Sequence, residues 1–157
     1  MQYAKLIGLL DERGAQYRLI DHEPQGATEA VSALRGNEIA QAAKCIVVLV
    51  KVTKKQKKYV LAVVPGDRRV DLGALKGLYD GVYAGFATQE IAERLAGSVS
   101  GTILPFSFDP ELELVVDPAL LEHEELFFNA ARLDRSMALR TSDYTAIAEP
   151  RTESIAG

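Results

Sequence analysis

The sequence predicts a single α/β (α+β) domain, with a mixed, largely antiparallel central sheet surrounded by helices. Two β-branched runs, "KCIVVLVKV" from Lys44 and "YVLAVVP" from Tyr59, flank a lysine-rich turn, which is an antiparallel hairpin signal. Elsewhere strand-like and helix-like segments interleave irregularly, which argues for a mixed sheet with helices packed around it. The chain has 157 residues, of which 48% are apolar, enough for one sizeable core. It shows no repeat, linker or low-complexity stretch, so residues 1–157 read as one domain.

Each element has a local reason. Leu6, Ile7, Leu9 and Leu10 make an apolar stripe at helical spacing, and Gly14 suits its stop. "QYRLIDH" reads as a short strand. Thr28 is placed to cap a helix, "EAVSALRG", that stops at Gly36. "NEIAQAA" is a short helical turn feeding the hairpin. After the hairpin, Asp71 caps "LGALKGLY", "GVYAGFAT" is a strand, and Thr88 starts "QEIAERLAG". "SVSGTILPFSF" follows neither period. "LELVVD" returns to strand, and Pro118 opens an expected helix, "PALLEHEE". "LFFNAA" and "SMALRT" read as paired strands and "SDYTAIAE" as a closing helix. The polar tail "PRTESIAG" is expected to be loose.

Charge and composition narrow the function. A net charge of -4 argues against a sequence-independent duplex binder, so no DNA partner is expected. Lys54, Lys55, Lys57 and Lys58 nevertheless crowd one turn, as either a solvated hairpin tip or a local polyanion contact. The apolar runs are too short to cross a bilayer and the N-terminus carries Asp11 and Glu12, so no membrane association and a cytoplasmic location are expected. A single cysteine rules out an internal disulfide and argues against a cysteine metal cage, so neither metal nor cofactor is expected. Cys45 reads as a small buried hydrophobe, and His123, in "LEHEEL", as part of an exposed helix. The phosphate-binding glycine loops, G-x-S-x-G and H-E-x-x-H are all missing.

Three irregular segments remain. Lys44 sits at the lip of an apolar strand, as either a snorkelling strand end or a functional cation. Asp67, Arg68 and Arg69 occupy a strand-to-helix turn. Gly101 to Pro105, "GTILP", is either an ordinary bend or a nest of backbone amides able to bind carbonyl or phosphate oxygens.

Taken in order, "AAKCIVVLV", "GDRRVDL", "GTILPF" and "NAARLDRSMALRTSDY" resemble the YbaK/ProX family of free-standing editing domains, which are similar to the insertion domain of bacterial prolyl-tRNA synthetase. "DHEPQGATEAVSALRGNEIAQAAK", "PFSF" and "RTSDY" resemble its YeaK-like branch, and the likeness runs from Tyr17 to Ala148. The resemblance implies trans-editing: hydrolysis of the ester joining a wrong, small amino acid (alanine, serine or similar) to a tRNA such as that for proline. It assigns Lys44 to the terminal nucleotide and the Gly101, Thr102, Ile103, Leu104 and Pro105 loop to the reacting aminoacyl group. It implies a water activated with help from a ribose hydroxyl. His22, Asp67, Arg68, Phe106 and Ser136 are the expected substrate-binding residues. The expected partners are the acceptor end of aminoacyl-tRNA and an aminoacyl-tRNA synthetase. Ala131 and Ser107 stand where many relatives have glycine, and Ser136 where YbaK itself has an aspartate. The competing expectation is a module that binds tRNA or a synthetase without cleaving anything.

Overall fold

The computed structural model describes residues 2–157, and the mixed α/β class holds, with the strands divided between two sheets rather than gathered in one. The first sheet has the order β1-β7-β6, from Tyr17–Asp21, Arg135–Arg140 and Glu125–Asn129, and is antiparallel throughout. The second has the order β4-β2-β3-β5-β8, from Tyr83–Phe86, Ala43–Lys51, Lys57–Pro65, Leu112–Val116 and Arg151–Thr152. Here β2 pairs antiparallel with β3 and β4, while β3–β5 and β5–β8 are parallel. A single parallel bridge, Ala42 to Phe127, joins the two sheets.

The hairpin β2–β3 forms because its residues are wanted on both faces. Val48, Val50, Val60, Ala62 and Val64 are buried toward helix α3 (Leu72–Leu78), while Val47, Leu61 and Val63 are buried toward the other helices and the first sheet. A strand buried on both faces reads as a continuous β-branched run, as β3 does. The turn is closed by the Val52 amide donating to the Gln56 carbonyl (2.9 Å) and by Thr53 Oγ1 accepting from the Gln56 amide (3.0 Å). Helices α1 (Gln2–Glu12), α4 (Gln89–Ala96) and α5 (Thr141–Ala148) contribute Leu6, Leu10, Leu95 and Tyr144 to the main core.

Asp71 and Thr88 cap as expected: their side-chain oxygens accept from the amides of Ala74 (3.0 Å) and Ile91 (3.3 Å). Three expectations are corrected. Helix α2 (Thr28–Arg35) takes Ala27 as its N-cap, so Thr28 is already its first residue. "PALLEHEE" makes only the 3-10 turn Leu120–Glu122; Leu120 is anchored in the core and β6 starts at Glu125, leaving no length for a helix. The tail is docked instead of loose. Arg151–Thr152 adds to β5, and Ile155 is 1% exposed. The buried carboxylate of Asp117 accepts from the amides of Ile155 and Ala156, both at 2.9 Å. One fully buried isoleucine is worth about 1.5–3 kcal/mol, enough to hold a short polar segment down. Among the described residues no helix is long and apolar enough to cross a membrane.

Candidate active site

Beyond the Ala42–Phe127 bridge, β2 and β6 bound a cleft of about 210 Å³, lined among others by Arg35, Lys44, Cys45, Gly101, Ile103 and Asn129. That is smaller than the roughly 300 Å³ at which small-molecule pockets usually begin. Strand β4 pairs with β2 only from Val48 to Lys51, so the edge of β2 at Lys44–Ile46 is left to form one wall.

Lys44 is the second residue of β2, half-buried and opposite Val64. Burial, and then the nearby Arg69 guanidinium, hold its amine below the usual lysine range, with Asp67 pulling weakly the other way. Among the described residues it has no ion-paired partner. Of the turn residues, Arg69 and Asp67 therefore bear on Lys44, whereas Arg68 is exposed and serves the turn through its amide, which donates to the Pro65 carbonyl (3.0 Å). Gly66 lets this turn approach, since a Cβ there would lie 2.6 Å from the Ile39 carbonyl oxygen.

The Gly101–Pro105 loop is clamped at both ends. The side-chain amide of Asn129 donates to the carbonyls of Gly101 and Gln25, both at 2.9 Å. At the other end the buried Tyr144 hydroxyl donates to the Pro105 carbonyl (2.7 Å). Gly101 has φ of 88°, and a Cβ on it would meet Gly26 Cα at 3.0 Å, so only glycine fits. The Thr102 amide and hydroxyl both turn back to the Val99 carbonyl, which removes Thr102 from the donors the loop can offer. Ile103, which lines the cleft, and Leu104 beside it have amides with no hydrogen-bond partner among the described residues. Unpaired backbone N–H groups held between fixed ends are chemically able to donate to a substrate oxygen. The Thr102 and Leu104 side chains are buried. The Phe106 ring lies in the core against Tyr144 (5.2 Å) and Phe128 (6.4 Å), not on the cleft.

His22 and Ser136 meet beside this loop. The fully buried Ser136 hydroxyl donates to Asn129 Oδ1 (2.9 Å) and lies 2.6 Å from His22 Nε2. Arg35 Nη1 donates to the same hydroxyl (3.2 Å). Arg35 and Asn129 lie inside the quoted motifs but have no role assigned there; only the folded chain brings positions 25, 35, 101, 129 and 136 together. Arg35 otherwise bonds only neutral groups, Asn37 Oδ1 (2.9 Å) and Ser32 Oγ (3.3 Å). Burial pushes its guanidinium down to about 10, which leaves it charged at neutral pH. Among the described residues the cleft lining thus holds two cations, Lys44 and Arg35, and no carboxylate, a wall complementary to an anion. Burial pushes the Cys45 thiol well above its usual range, so it stays protonated and is a poor nucleophile.

A small cleft with a cationic rim suits an anionic substrate. Residues 22–147 match the aminoacyl-tRNA editing domain family, and the chain belongs to it: it is an aminoacyl-tRNA deacylase, a hydrolase of mischarged tRNA. Among curated proteins it is 42% identical over 149 residues to the Multifunctional Ser/Thr-tRNA deacylase ProXp-y of Escherichia coli strain K12, covering 94% of this chain and 89% of that protein. The corresponding protein of Escherichia coli O157:H7 is equally similar. Solved structures share the fold. The hypothetical protein APE2540 superposes with a TM-score of 0.86 at 21% identity, over 98% of this chain and 99% of that one. A candidate trans-editing enzyme for prolyl tRNA synthetase superposes with a TM-score of 0.81 at 20% identity, over 99% and 97%.

Proposed function

We propose that this cleft removes serine or threonine, with alanine as the next fit, from the 3′ end of a tRNA, and that the Ile103–Leu104 amides stabilise the transition state. The amino acid follows from likeness to the Ser/Thr-tRNA deacylase. The observation that carries the reading is the pair of unpartnered amides held between two clamps. In the reaction, a water oxygen attacks the ester carbonyl carbon while its proton passes to a neighbouring ribose hydroxyl, which hands its own proton on to the departing ribose oxygen. The carbonyl oxygen gains the negative charge that the amides meet. The bond to the ribose oxygen then breaks, that oxygen takes up a proton, and free amino acid and tRNA leave. An ester needs no covalent enzyme intermediate for this, because positioning and oxyanion stabilisation suffice. Lys44 holds the terminal phosphate, and Arg35 adds a second positive charge beside it. His22 and Ser136 act through Asn129 to hold the loop. A synthetase that mischarges such a tRNA is the expected source of substrate.

The test is a panel of tRNAs charged with serine, threonine, alanine and cysteine, scored for release at catalytic amounts of protein. Turnover should be fastest with the first two. Stoichiometric binding without release of any of them refutes the assignment in favour of a carrier.

A further inference from the structure

Of the eight large apolar side chains exposed among the described residues, Val82, Tyr83 and Phe86 fall within five positions, the first just before the edge strand β4 and the other two on it. They are 62%, 50% and 61% exposed, respectively. Strand β4 runs alongside β2 with Tyr83 opposite Lys51 and Phe86 opposite Val48. Its start therefore abuts the lysine turn, where the Val82 amide donates to the Lys51 carbonyl (2.7 Å), and its end approaches the cleft. Phe86 shares a face with Val48, and hence, by strand alternation, with Lys44. Lys51 Nζ lies 5.4 Å from the Tyr83 ring centroid. The segment "KVTKKQKK" beside it holds five lysines and no acid in a chain of net charge -4, and Asp80 is the only carboxylate in the adjoining "YDGVYAGF".

We propose that this edge is a track for the single-stranded acceptor end of the tRNA, with Phe86 as a stacking platform for a base and the lysine turn as the contact for backbone phosphates. Tyr83 and Lys51 project from the opposite face of the strand to Phe86, so the platform on the Lys44 face is Phe86 alone. An exposed aromatic ring on an edge that leads to a lysine turn fits a strand that offers π-faces and negative charge at once, which a purely hydrophobic partner would not use. From Lys44 to Lys51 the strand covers about 23 Å. The track therefore engages several nucleotides upstream of the reacting one and cannot be reached by the terminal nucleoside alone. The proposal rests on the reading of the cleft as the place of the terminal nucleotide, because that sets the direction in which the strand leaves.

The experiment compares kcat/KM for full-length seryl-tRNA with that for the 3′-seryl ester of adenosine, alongside the Kd of uncharged tRNA by fluorescence anisotropy. Phe86→Ala should lower the long-to-short ratio of kcat/KM about tenfold, as expected for one lost stacking contact. Changing Lys54 and Lys55 to glutamine should weaken uncharged tRNA and flatten the log–log salt slope by about 1.4, two phosphates of a single strand. Parallel losses on both esters, or no change on either, overturn the track. So does a wild-type dimer in light scattering that Phe86→Ala dissociates, since the edge then serves a second copy. If neither ester is hydrolysed by the wild type, the reading of the cleft fails, and the Kd of uncharged tRNA still decides the track.

Discussion

Replacing Asn129 by alanine tests whether the loop is set from behind. The side chain is 7% exposed and makes three hydrogen bonds: two donated, to the Gly101 and Gln25 carbonyls, and one accepted from the Ser136 hydroxyl. At a net value of about 1 kcal/mol each, with further cost for buried groups left unpaired, the truncation should destabilise the protein by about 3–5 kcal/mol. The rate effect is separate. Once the Gly101 carbonyl is released, the Ile103 and Leu104 amides lose their fixed position, and a misplaced oxyanion donor costs about a hundredfold or more. Asn129→Asp separates the two, because the near-isosteric carboxylate keeps the volume but turns an acceptor on two carbonyls. The assay is single-turnover release from saturating seryl-tRNA, paired with thermal melting. Both variants should lose about a hundredfold in rate at temperatures where circular dichroism shows them folded, with little change in the Kd of uncharged tRNA. A variant that melts early yet reacts at the wild-type rate when folded would refute the argument, leaving Asn129 as a packing residue.

Further outcomes follow from the same geometry. Lys44→Ala should fold normally and lose about ten- to a hundredfold in deacylation, the worth of one charge-assisted bond to phosphate; Lys44→Arg should also be impaired, since the planar fork changes the geometry. Because the folded amine titrates below the free value of 10.5, its positive charge disappears at lower pH than in the unfolded chain. The Kd of uncharged tRNA should therefore rise below pH 10.5 in the wild type and stay flatter in Lys44→Ala, and the contribution of this group to stability should increase with pH over that window. Ile155→Ala should lower stability by about 2–5 kcal/mol and leave kcat nearly unchanged, read by denaturant unfolding beside the release assay.

The parts legible in the sequence were those with a local cause. The hairpin was readable because a β-branched run tolerates few other fates, and the Asp71 and Thr88 caps because capping needs only the next three residues. The Gly101–Pro105 loop was marked by its two punctuating residues. What stayed hidden depends on residues distant along the chain. Asn129 sits in "LFFNAA" as one more strand residue until Gln25 and Gly101 are brought to it. Arg35 looks like an ordinary helix-end arginine until Ser136 arrives. The tail misled because its composition is polar and a single isoleucine, with a carboxylate 38 residues upstream, decides its fate. "PALLEHEE" misled for the opposite reason: its local helix signal was sound and the neighbouring strand took the length away.

The close approach of Gly26 and Gly101 also limits how the enzyme can be re-engineered. A side chain on Gly101 would press on Gly26 (3.0 Å), and one on Gly26 would crowd Leu133 (3.2 Å). The two strands of backbone behave as a welded seam, so a designer who wants to admit a bulkier acyl group gains nothing by loosening it and risks the donors beyond it. The adjustable surface is made by other lining residues of the same cleft, Val31 and Ile46. Trimming Val31 or Ile46 should widen the range of amino acids released while the rate for serine persists, so that selectivity and catalytic power are carried by separate walls of one small chamber.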